Sequence, residues 1–352
     1  MSTNTAPSSG DGDQLPPTTS AEFLVAAAER VRDGYPGLFA HQCSGVAFLL
    51  SRQRAILADD MGLGKTRTSI VAAREQSPDG RFLVICPATL KLNWQREIRM
   101  VEPSAHVQVL DKDAPDPAAR WVVVNYDRLT KFESALLERP FAVVVLDEAH
   151  YIKNDSARSK RSLNLVQSAG QATYLLTGTP MTNRPRDLFN LLKALDHPLA
   201  KSFYRYAQRY CAAVDNGYGL DSTGASNLDE LSKVIAGVML RRGKGEALDL
   251  PEKVRSWIPV EVPVKRVKSH EARALDFLAT HPAREGASWI TFLGMLNKAR
   301  HELALLKATP TADFVGDLVE ADQKVVVFTS YTDRKSTRLN SSHITISYAV
   351  FC

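Results

Sequence analysis

Short apolar runs alternate with helical stretches along most of this chain. The runs are rich in Val, Ile and Leu, each ends at a turn or a polar residue, and they read RAILA, RFLVICP, WVVVNY, FAVVVLDE and TYLLTG. Strands that are apolar on both faces are typical of a parallel sheet covered by helices on each side. The pattern therefore predicts an α/β fold, in which ligands bind at the carboxyl ends of the strands.

The same pattern predicts the domain boundaries. Residues 1–20 are rich in Ser, Thr, Pro, Gly and Asp and lack the apolar core of a signal peptide, which predicts a disordered tail. Residues 21–250 carry the five runs and form the first predicted domain, with a mainly helical insertion at about 187–240. Residues 251–320 are interpreted as a linker and helices, and 321–333 as the first strand of a second sheet.

Composition narrows the function only slightly. The 352 residues exceed the size at which one hydrophobic core usually keeps growing, and 44% apolar and 24% charged residues are ordinary for a globular protein. A net charge of +5 permits a polyanionic partner without requiring one. No apolar run approaches the roughly 20 residues of a membrane span, and the four cysteines form no CxxC pair. We therefore expect neither a membrane partner nor a zinc site.

The segment ILADDMGLGKTRTS lies between a predicted strand and a predicted helix. Gly62 and Gly64 would allow the backbone to wrap around an anion. Lys65 offers a charge to phosphate, and Thr66 offers a hydroxyl to Mg²⁺. The strict phosphate-loop pattern requires glycine where this chain has Asp59, so a glycine-rich structural turn stays open as the alternative.

A second motif, VVVLDEAHYIKN, places Asp147 and Glu148 at the carboxyl end of a buried strand. Asp147 can hold Mg²⁺ through its water shell, and Glu148 can orient and deprotonate an attacking water. Two adjacent buried carboxylates are costly unless a cation compensates them. An exposed acidic turn is the alternative, but it does not account for the upstream loop that supplies the missing partner. Together the two motifs predict an Mg²⁺-ATP site.

A third strand end, YLLTGTPMTN, carries the hydroxyls of Thr177 and Thr179 on either side of Gly178. Alone it is a turn. Beside the two acidic residues it is a candidate for coupling the γ-phosphate to motion.

The motifs occur in an order that resembles the Swi/Snf-type ATPases of helicase superfamily two. The resemblance covers about residues 38–333 and rests on LFAHQCSGVAFLL, LADDMGLGKT, VICPATLKLNWQREI, VVVNYDRL, VVLDEAHYIKN, LTGTPMTNRPRDLFNLL and VMLRRGKGEALDLPEK. Asp59 is usual in that family, whereas Asp60 stands where the family more often has Glu. The stretch RYCAAVDNGYGLDSTGASNLDEL is similar to the annealing-helicase branch.

The resemblance implies a fold and a set of roles. The fold would be a RecA-like parallel sheet flanked by helices, followed by only the start of a second RecA-like lobe, with ATP and Mg²⁺ as cofactors. Gln42 would read the adenine, Asp147 and Thr66 would hold the metal, and Glu148 would be the catalytic base. His150 and Thr177–Thr179 would couple hydrolysis to DNA movement. The nucleotide-binding residues implied are Gln42, Asp60, Met61, Gly62, Leu63, Gly64, Lys65 and Thr66.

The resemblance also implies the partner. CPATLKLNW and NYDRL are similar to segments that follow the DNA backbone, so binding to double-stranded or branched DNA would be independent of sequence and sensitive to salt. We expect Trp94 to lie in the core rather than to stack on a base. The sequence lacks a long basic tail or nuclear-type signal, so we expect a cytoplasmic, nucleoid-associated protein of a prokaryote or phage. The sequence does not identify a protein partner.

The predicted function is a DNA-dependent ATPase that translocates on double-stranded DNA or remodels and reanneals it. A strand-separating DEAH-type helicase of DNA or RNA, and a non-catalytic module that binds ATP and DNA, stay open as alternatives. The resemblance stops after Asp333, and residues 334–352 look like a translated sequencing adaptor, so we expect a non-native tail. The family's second lobe carries arginines typically worth about 10³–10⁵ in rate. No matching arginine-rich stretch occurs in this sequence, so we expect this chain alone to be inactive.

Overall fold

The computed structural model describes residues 20–181, 184–215, 217, 219–252, 254–263, 265–280 and 287–328. The chain divides into two compact units, Met1–Pro251 and Glu252–Cys352. The predicted N-terminal tail before Ser20, residues 329–333 of the predicted second-lobe strand and the predicted non-native tail lie outside the described residues.

A parallel sheet forms the centre of the first unit. Its described strands are β1 (Arg54–Leu57), β2 (Phe82–Cys86), β3 (Val107–Val109), β4 (Trp121–Asn125), β5 (Phe141–Asp147), β6 (Gly170–Leu176), the short β7 (Val214–Asp215) and β8 (Leu220–Asp221), and β9 (Met239–Leu240). Seven of these described strands pair in the order β3-β4-β2-β5-β6-β1-β9, whereas β7 and β8 form a separate antiparallel pair. The five apolar runs coincide with β1, β2, β4, β5 and β6. The sequence prediction missed β3 and β9 because strands so short leave no apolar run.

Helices cover the sheet on both faces. In the first unit the described helices are α1 (Ala21–Gly34), α2 (Ala40–Leu50), α3 (Lys65–Gln76), α4 (Lys91–Val101), α5 (Leu129–Leu137), α6 (Ala157–Ala169), α7 (Phe189–Ala194), α8 (Phe203–Tyr210), α9 (Leu228–Ile235) and α10 (Lys244–Ala247). Helices α1 to α4 contribute to one apolar core, and α5 to α9 contribute to the other. Successive residues of β2 alternate between the two, since Leu83 packs into one core and Val84 into the other.

The predicted insertion at 187–240 is helical through α7, α8 and α9, but it also contains strands. Strands β7 and β8, of two residues each, pair antiparallel. Strand β9 belongs to the main sheet. There Met239 pairs with Ile56 and Leu240 with Leu57. The end of the insertion is therefore the strand that lies beside β1.

The second unit consists of two long helices in its described part. Helices α11 (Lys265–Thr280) and α12 (Ala287–Glu320) pack against each other, and α12 continues through Pro310. Residues 323–328 have no regular secondary structure, so the second-lobe strand stays a prediction. Among the described helices of the chain, none is both long enough and apolar enough to cross a membrane.

Candidate functional site

Three neighbouring strands bring the three sequence motifs to one edge of the sheet. Strand β6 lies between β1 and β5, and all three run parallel. The carboxyl ends of parallel strands meet at one edge, so the loop after β1, the turn after β6 and the acidic pair after β5 converge. A cavity of about 620 Å³ opens there and is lined by residues of the loop and by both acidic residues.

Glycine is required in the loop between β1 and α3. Gly62 has φ 89° and Gly64 has φ 76°, both in the left-handed region. A Cβ atom at Gly64 would lie 2.0 Å from Nε2 of Gln42, so a larger residue would displace the Gln42 side chain as well as strain the backbone. Helix α3 begins directly afterwards at Lys65 and directs its free N–H groups at the cavity edge. This local geometry is a cradle for an anion.

Lys65 is held beside the cavity by the loop itself. Its Nζ donates to the carbonyl oxygens of Asp59 at 2.6 Å and Asp60 at 3.2 Å. Burial lowers the pKa of Lys65, while the nearby carboxylates of Glu148 and Asp147 act in the opposite direction. The ammonium group therefore donates to two neutral carbonyl oxygens, and phosphate oxygens bound in the cavity could replace these acceptors.

Asp147 is a buried carboxylate with two protein donors. The indole Nε1 of Trp94 donates to Oδ2 at 2.8 Å, and the backbone N–H of Glu148 donates to Oδ1 at 2.9 Å. Burial raises the pKa of Asp147, and both hydrogen bonds oppose that rise. The hydroxyl of Tyr126 donates to its backbone oxygen at 2.8 Å. Trp94 is fully buried, which confirms the prediction that it belongs to the core.

Glu148 has an unusual backbone and a charged environment. Its φ of 51° lies in the left-handed region, which is costly for a residue with a side chain and is concentrated at functional sites. Nδ1 of His150 lies 3.1 Å from its Oε2. This close contact with His150 lowers the pKa of Glu148 and outweighs the effect of burial. The carboxylate therefore stays ionised near neutral pH and can accept a proton.

The turn after β6 packs directly on the loop after β1. A Cβ at Gly178 would lie 3.0 Å from Cγ of Met61 and 3.7 Å from Nζ of Lys65. The backbone N–H of Thr177 donates to Leu57 at 3.2 Å, and Oγ1 of Thr177 accepts from the N–H of Thr179 at 3.1 Å. The turn and the loop are therefore in close contact.

Gln42 lies at the opposite side of the loop. It is buried at the start of α2, and its Oε1 accepts from the backbone N–H of Phe39 at 3.0 Å. The predicted residues that line the cavity are Gln42, Met61, Gly62, Leu63, Gly64, Lys65, Thr66, Asp147 and Glu148. The lining does not include Asp60, whose Oδ2 instead accepts from the N–H of Lys244, nor His150 or Thr177–Thr179.

Sequence reasoning missed several polar partners of this site. It placed Trp94 in the core without its hydrogen bond to Asp147, and it did not identify Arg242, which forms an ion pair with Asp59. One signal was available for Arg242. A carboxylate at a loop position where glycine is usual requires a cationic partner if it is buried.

The residues around the cavity fit Mg²⁺-ATP. Left-handed glycines leave room for phosphates, and Lys65 supplies a cation. Asp147 is the kind of single buried carboxylate that Mg²⁺ uses when phosphates and waters complete its coordination. Within the described residues no cluster of three or more His, Cys, Asp or Glu could form an all-protein metal site, and Mg²⁺ with a nucleotide does not need one.

Comparisons with known proteins agree with this architecture. The model of the SNF2-related domain matches residues 41–302. The chain is 35% identical over 309 residues to the DNA annealing helicase and endonuclease ZRANB3 of Mus musculus, over 83% of this chain and 29% of that protein. It is 32% identical over 235 residues to a SWI/SNF-related matrix-associated actin-dependent regulator of chromatin subfamily A-like protein 1 homolog of Caenorhabditis elegans, over 64% of this chain and 34% of that one. The chain thus spans about a third of these relatives.

A solved structure shows the same fold. The Sulfolobus solfataricus SWI2/SNF2 ATPase core in complex with dsDNA matches with a TM-score of 0.53 and 23% identity, over 84% of this chain and 67% of that one. The match confirms the predicted fold class, a RecA-like parallel sheet flanked by helices.

Proposed function

Because this chain belongs to the SNF2-related domain family, we propose that it is the ATP-binding lobe of a DNA-dependent ATPase that translocates on double-stranded DNA or remodels and reanneals it. One observation carries the proposal. Lys65 in its glycine loop and the pair Asp147 and Glu148 line one cavity at the edge of a parallel sheet. A phosphate cradle opposite a buried carboxylate and an ionised base is the arrangement that nucleotide hydrolysis requires.

The residues take roles that follow from their surroundings. Lys65 would bind the phosphates, Thr66 and Asp147 would hold Mg²⁺, and Gln42 would contact the adenine. Bound Mg²⁺-ATP supplies the phosphoanhydride bond that hydrolysis breaks. Glu148 lines the cavity and is ionised near neutral pH, so it would accept the proton of the attacking water.

Two features support duplex DNA as the partner. Relatives are named as DNA annealing helicases, and the solved structure with the same fold is a complex with dsDNA. In this proposal the segments CPATLKLNW and NYDRL contact backbone phosphates, so affinity falls with salt and is indifferent to sequence. His150 and the turn Thr177–Thr179 link the cavity to DNA movement, which agrees with the packing of Gly178 on the loop. We therefore also propose a cytoplasmic, nucleoid-associated location, which rests on DNA being the partner.

A second candidate is a module that binds ATP and DNA with little hydrolysis. Among the described residues that line the cavity, the arginine is Arg67, and its guanidinium already binds Glu97 at 2.8 Å. An arginine free to stabilise charge on the transferred phosphoryl group is worth about 10³–10⁵ in rate in related chemistry. This observation favours a module that binds ATP but hydrolyses it slowly.

The test measures nucleotide binding on this chain and ATP hydrolysis on the full-length protein, because we expect this chain alone to hydrolyse little ATP. We expect fluorescently labelled ADP with Mg²⁺ to bind the wild-type chain and not the Lys65→Ala variant. Lys233→Ala on the exposed face of α9 is the matched control and should bind as wild type does. Phosphate release from ATP should then rise when duplex DNA is added.

The outcomes separate the alternatives. Wild-type protein that binds no nucleotide would overturn the proposed function. Nucleotide and DNA binding without DNA-stimulated phosphate release would establish the binding module instead. Separation of a duplex into single strands would establish the strand-separating helicase, whereas faster annealing of complementary strands supports the proposal.

A further inference from the structure

Arg242 joins two sides of the nucleotide cavity from a distant part of the chain. Its Nε and one terminal nitrogen donate to Oδ1 and Oδ2 of Asp59 at 3.0 and 2.5 Å. Its other terminal nitrogen donates to the backbone oxygen of His41 at 2.6 Å. The side chain of Asp59 is 2% exposed and that of Arg242 is 16% exposed. Arg242 and Asp59 therefore form a bidentate, largely buried ion pair, a geometry that strengthens charge-assisted hydrogen bonds.

The backbone around Arg242 follows the phosphate loop. Ala58 donates its N–H to Leu240 at 2.7 Å, and Asp60 donates its N–H to Arg242 at 3.0 Å. One step further, the N–H of Lys244 donates to Oδ2 of Asp60 at 3.2 Å. The chain after β9 therefore continues the ladder past the end of β1 and lies along the start of the loop.

The contacts of Arg242 reach the nucleotide-binding residues through one intermediate each. Asp59 accepts from Arg242 with its side chain and from Nζ of Lys65 with its backbone oxygen. His41, the other partner, directly precedes Gln42. One guanidinium thus determines where the residues for phosphate and for adenine lie relative to each other.

We propose that Arg242 is a positioning residue for nucleotide binding, acting through Asp59 on Lys65 and through His41 on Gln42. The inference rests on the proposed function, because it assumes that the cavity binds a nucleotide. It differs from a role in stability alone. A buried ion pair can often be replaced by apolar residues of similar volume without loss of stability, so a variant that lacks both charges can separate folding from nucleotide binding.

The experiment compares three variants of the whole chain by titration with fluorescently labelled ADP and Mg²⁺. Arg242→Lys keeps the charge but removes the bidentate geometry. The double variant Asp59→Leu with Arg242→Met removes both charges. Arg241→Met alters the exposed neighbouring arginine and is the matched control. Circular dichroism checks that each protein is folded at the temperature of the titration.

We expect the Arg241 variant to bind as wild type does. The Arg242→Lys variant and the double variant should bind at least about tenfold more weakly while remaining folded, a change that corresponds to about 1.4 kcal/mol. Folded variants at Arg242 that bind labelled ADP as tightly as wild type would overturn the inference. Wild-type protein that binds no ADP would instead overturn the proposed function.

A measurement on the wild-type chain decides the matter if the variants unfold. Hydrogen exchange of the peptide that spans residues 239–248 is followed with and without saturating ADP and Mg²⁺. A nucleotide that orders the loop should slow exchange in this peptide, because Lys244 and the loop share hydrogen bonds. Unchanged exchange in 239–248, with slowed exchange in the loop itself, would overturn the inference.

Discussion

The indole Nε1 of Trp94 donates a 2.8 Å hydrogen bond to Oδ2 of Asp147 in the interior of the first unit. Both residues are buried, and the other carboxylate oxygen accepts from the backbone N–H of Glu148. Each oxygen thus has one protein donor and retains a lone pair for a cation. Trp94, in the segment VICPATLKLNWQREI, therefore helps to orient Asp147, in the segment VVLDEAHYIKN.

Replacement of Trp94 by Phe should raise the Mg²⁺ concentration that nucleotide binding requires. Phenylalanine keeps most of the packing but removes the donor that orients Asp147. Loss of a hydrogen bond to a metal-binding side chain typically costs about 10- to 100-fold in metal affinity. Titration of Mg²⁺ at a fixed concentration of labelled ADP measures the change.

Trp121→Phe is the control for that experiment. Trp121 is also fully buried, but its indole donates to Glu102 at 3.1 Å rather than to the site. We expect its Mg²⁺ dependence to match that of the wild type. Equal Mg²⁺ dependence of all three proteins would show that the hydrogen bond of Trp94 has no role in the metal site.

Replacement of Glu148 by Gln should preserve binding and block hydrolysis. The amide keeps the shape of the side chain but cannot accept the proton of water, and general-base catalysis is typically worth about 10²–10⁴ in rate. Binding of labelled ADP and DNA-stimulated phosphate release are measured on the same preparation of the full-length protein. Release at the wild-type rate would remove Glu148 from the role of base.

Replacement of Gly64 by Ala should abolish nucleotide binding. A left-handed backbone costs an alanine about 1–2 kcal/mol, and the new Cβ would lie 2.0 Å from Nε2 of Gln42. Gly37→Ala is the control, since Gly37 also lines the cavity but has no atom within 4 Å of its Cβ position. The midpoint temperature of thermal unfolding should fall for Gly64→Ala but not for Gly37→Ala. Comparable ADP affinity in both variants would contradict the proposed cradle.

The thiol of Cys86 should resist alkylation until the protein unfolds. Burial raises its pKa to about 12, so at pH 8 only about one thiol in 10⁴ is the reactive thiolate. Reactivity of the native thiol should rise about tenfold per pH unit and level off only above that value. Mass spectrometry of the peptide that contains Cys86, after iodoacetamide treatment of native and guanidinium-unfolded protein, measures the difference. Equal labelling of the two would contradict the burial of this residue.

Most of the fold was predictable from the sequence because its signals are local. An apolar run ending in a polar residue predicts a buried strand wherever it occurs, and all five such runs form strands of the main sheet. The phosphate loop and the acidic pair were identified by residue type and spacing within a few positions. Strands β3 and β9 escaped notice because each is too short for its pattern to stand out from the surrounding chain.

The sequence alone was enough to predict the candidate site residues, namely the loop with Lys65 and the pair Asp147 and Glu148, and the sheet that supports them. Only the tertiary structure decided which groups hold those residues in place. Trp94 and Asp147 are 53 positions apart, and Asp59 and Arg242 are 183 positions apart. A buried polar group must find a partner, but packing chooses that partner among many distant candidates. The spacing of residues along the chain contains no record of that choice.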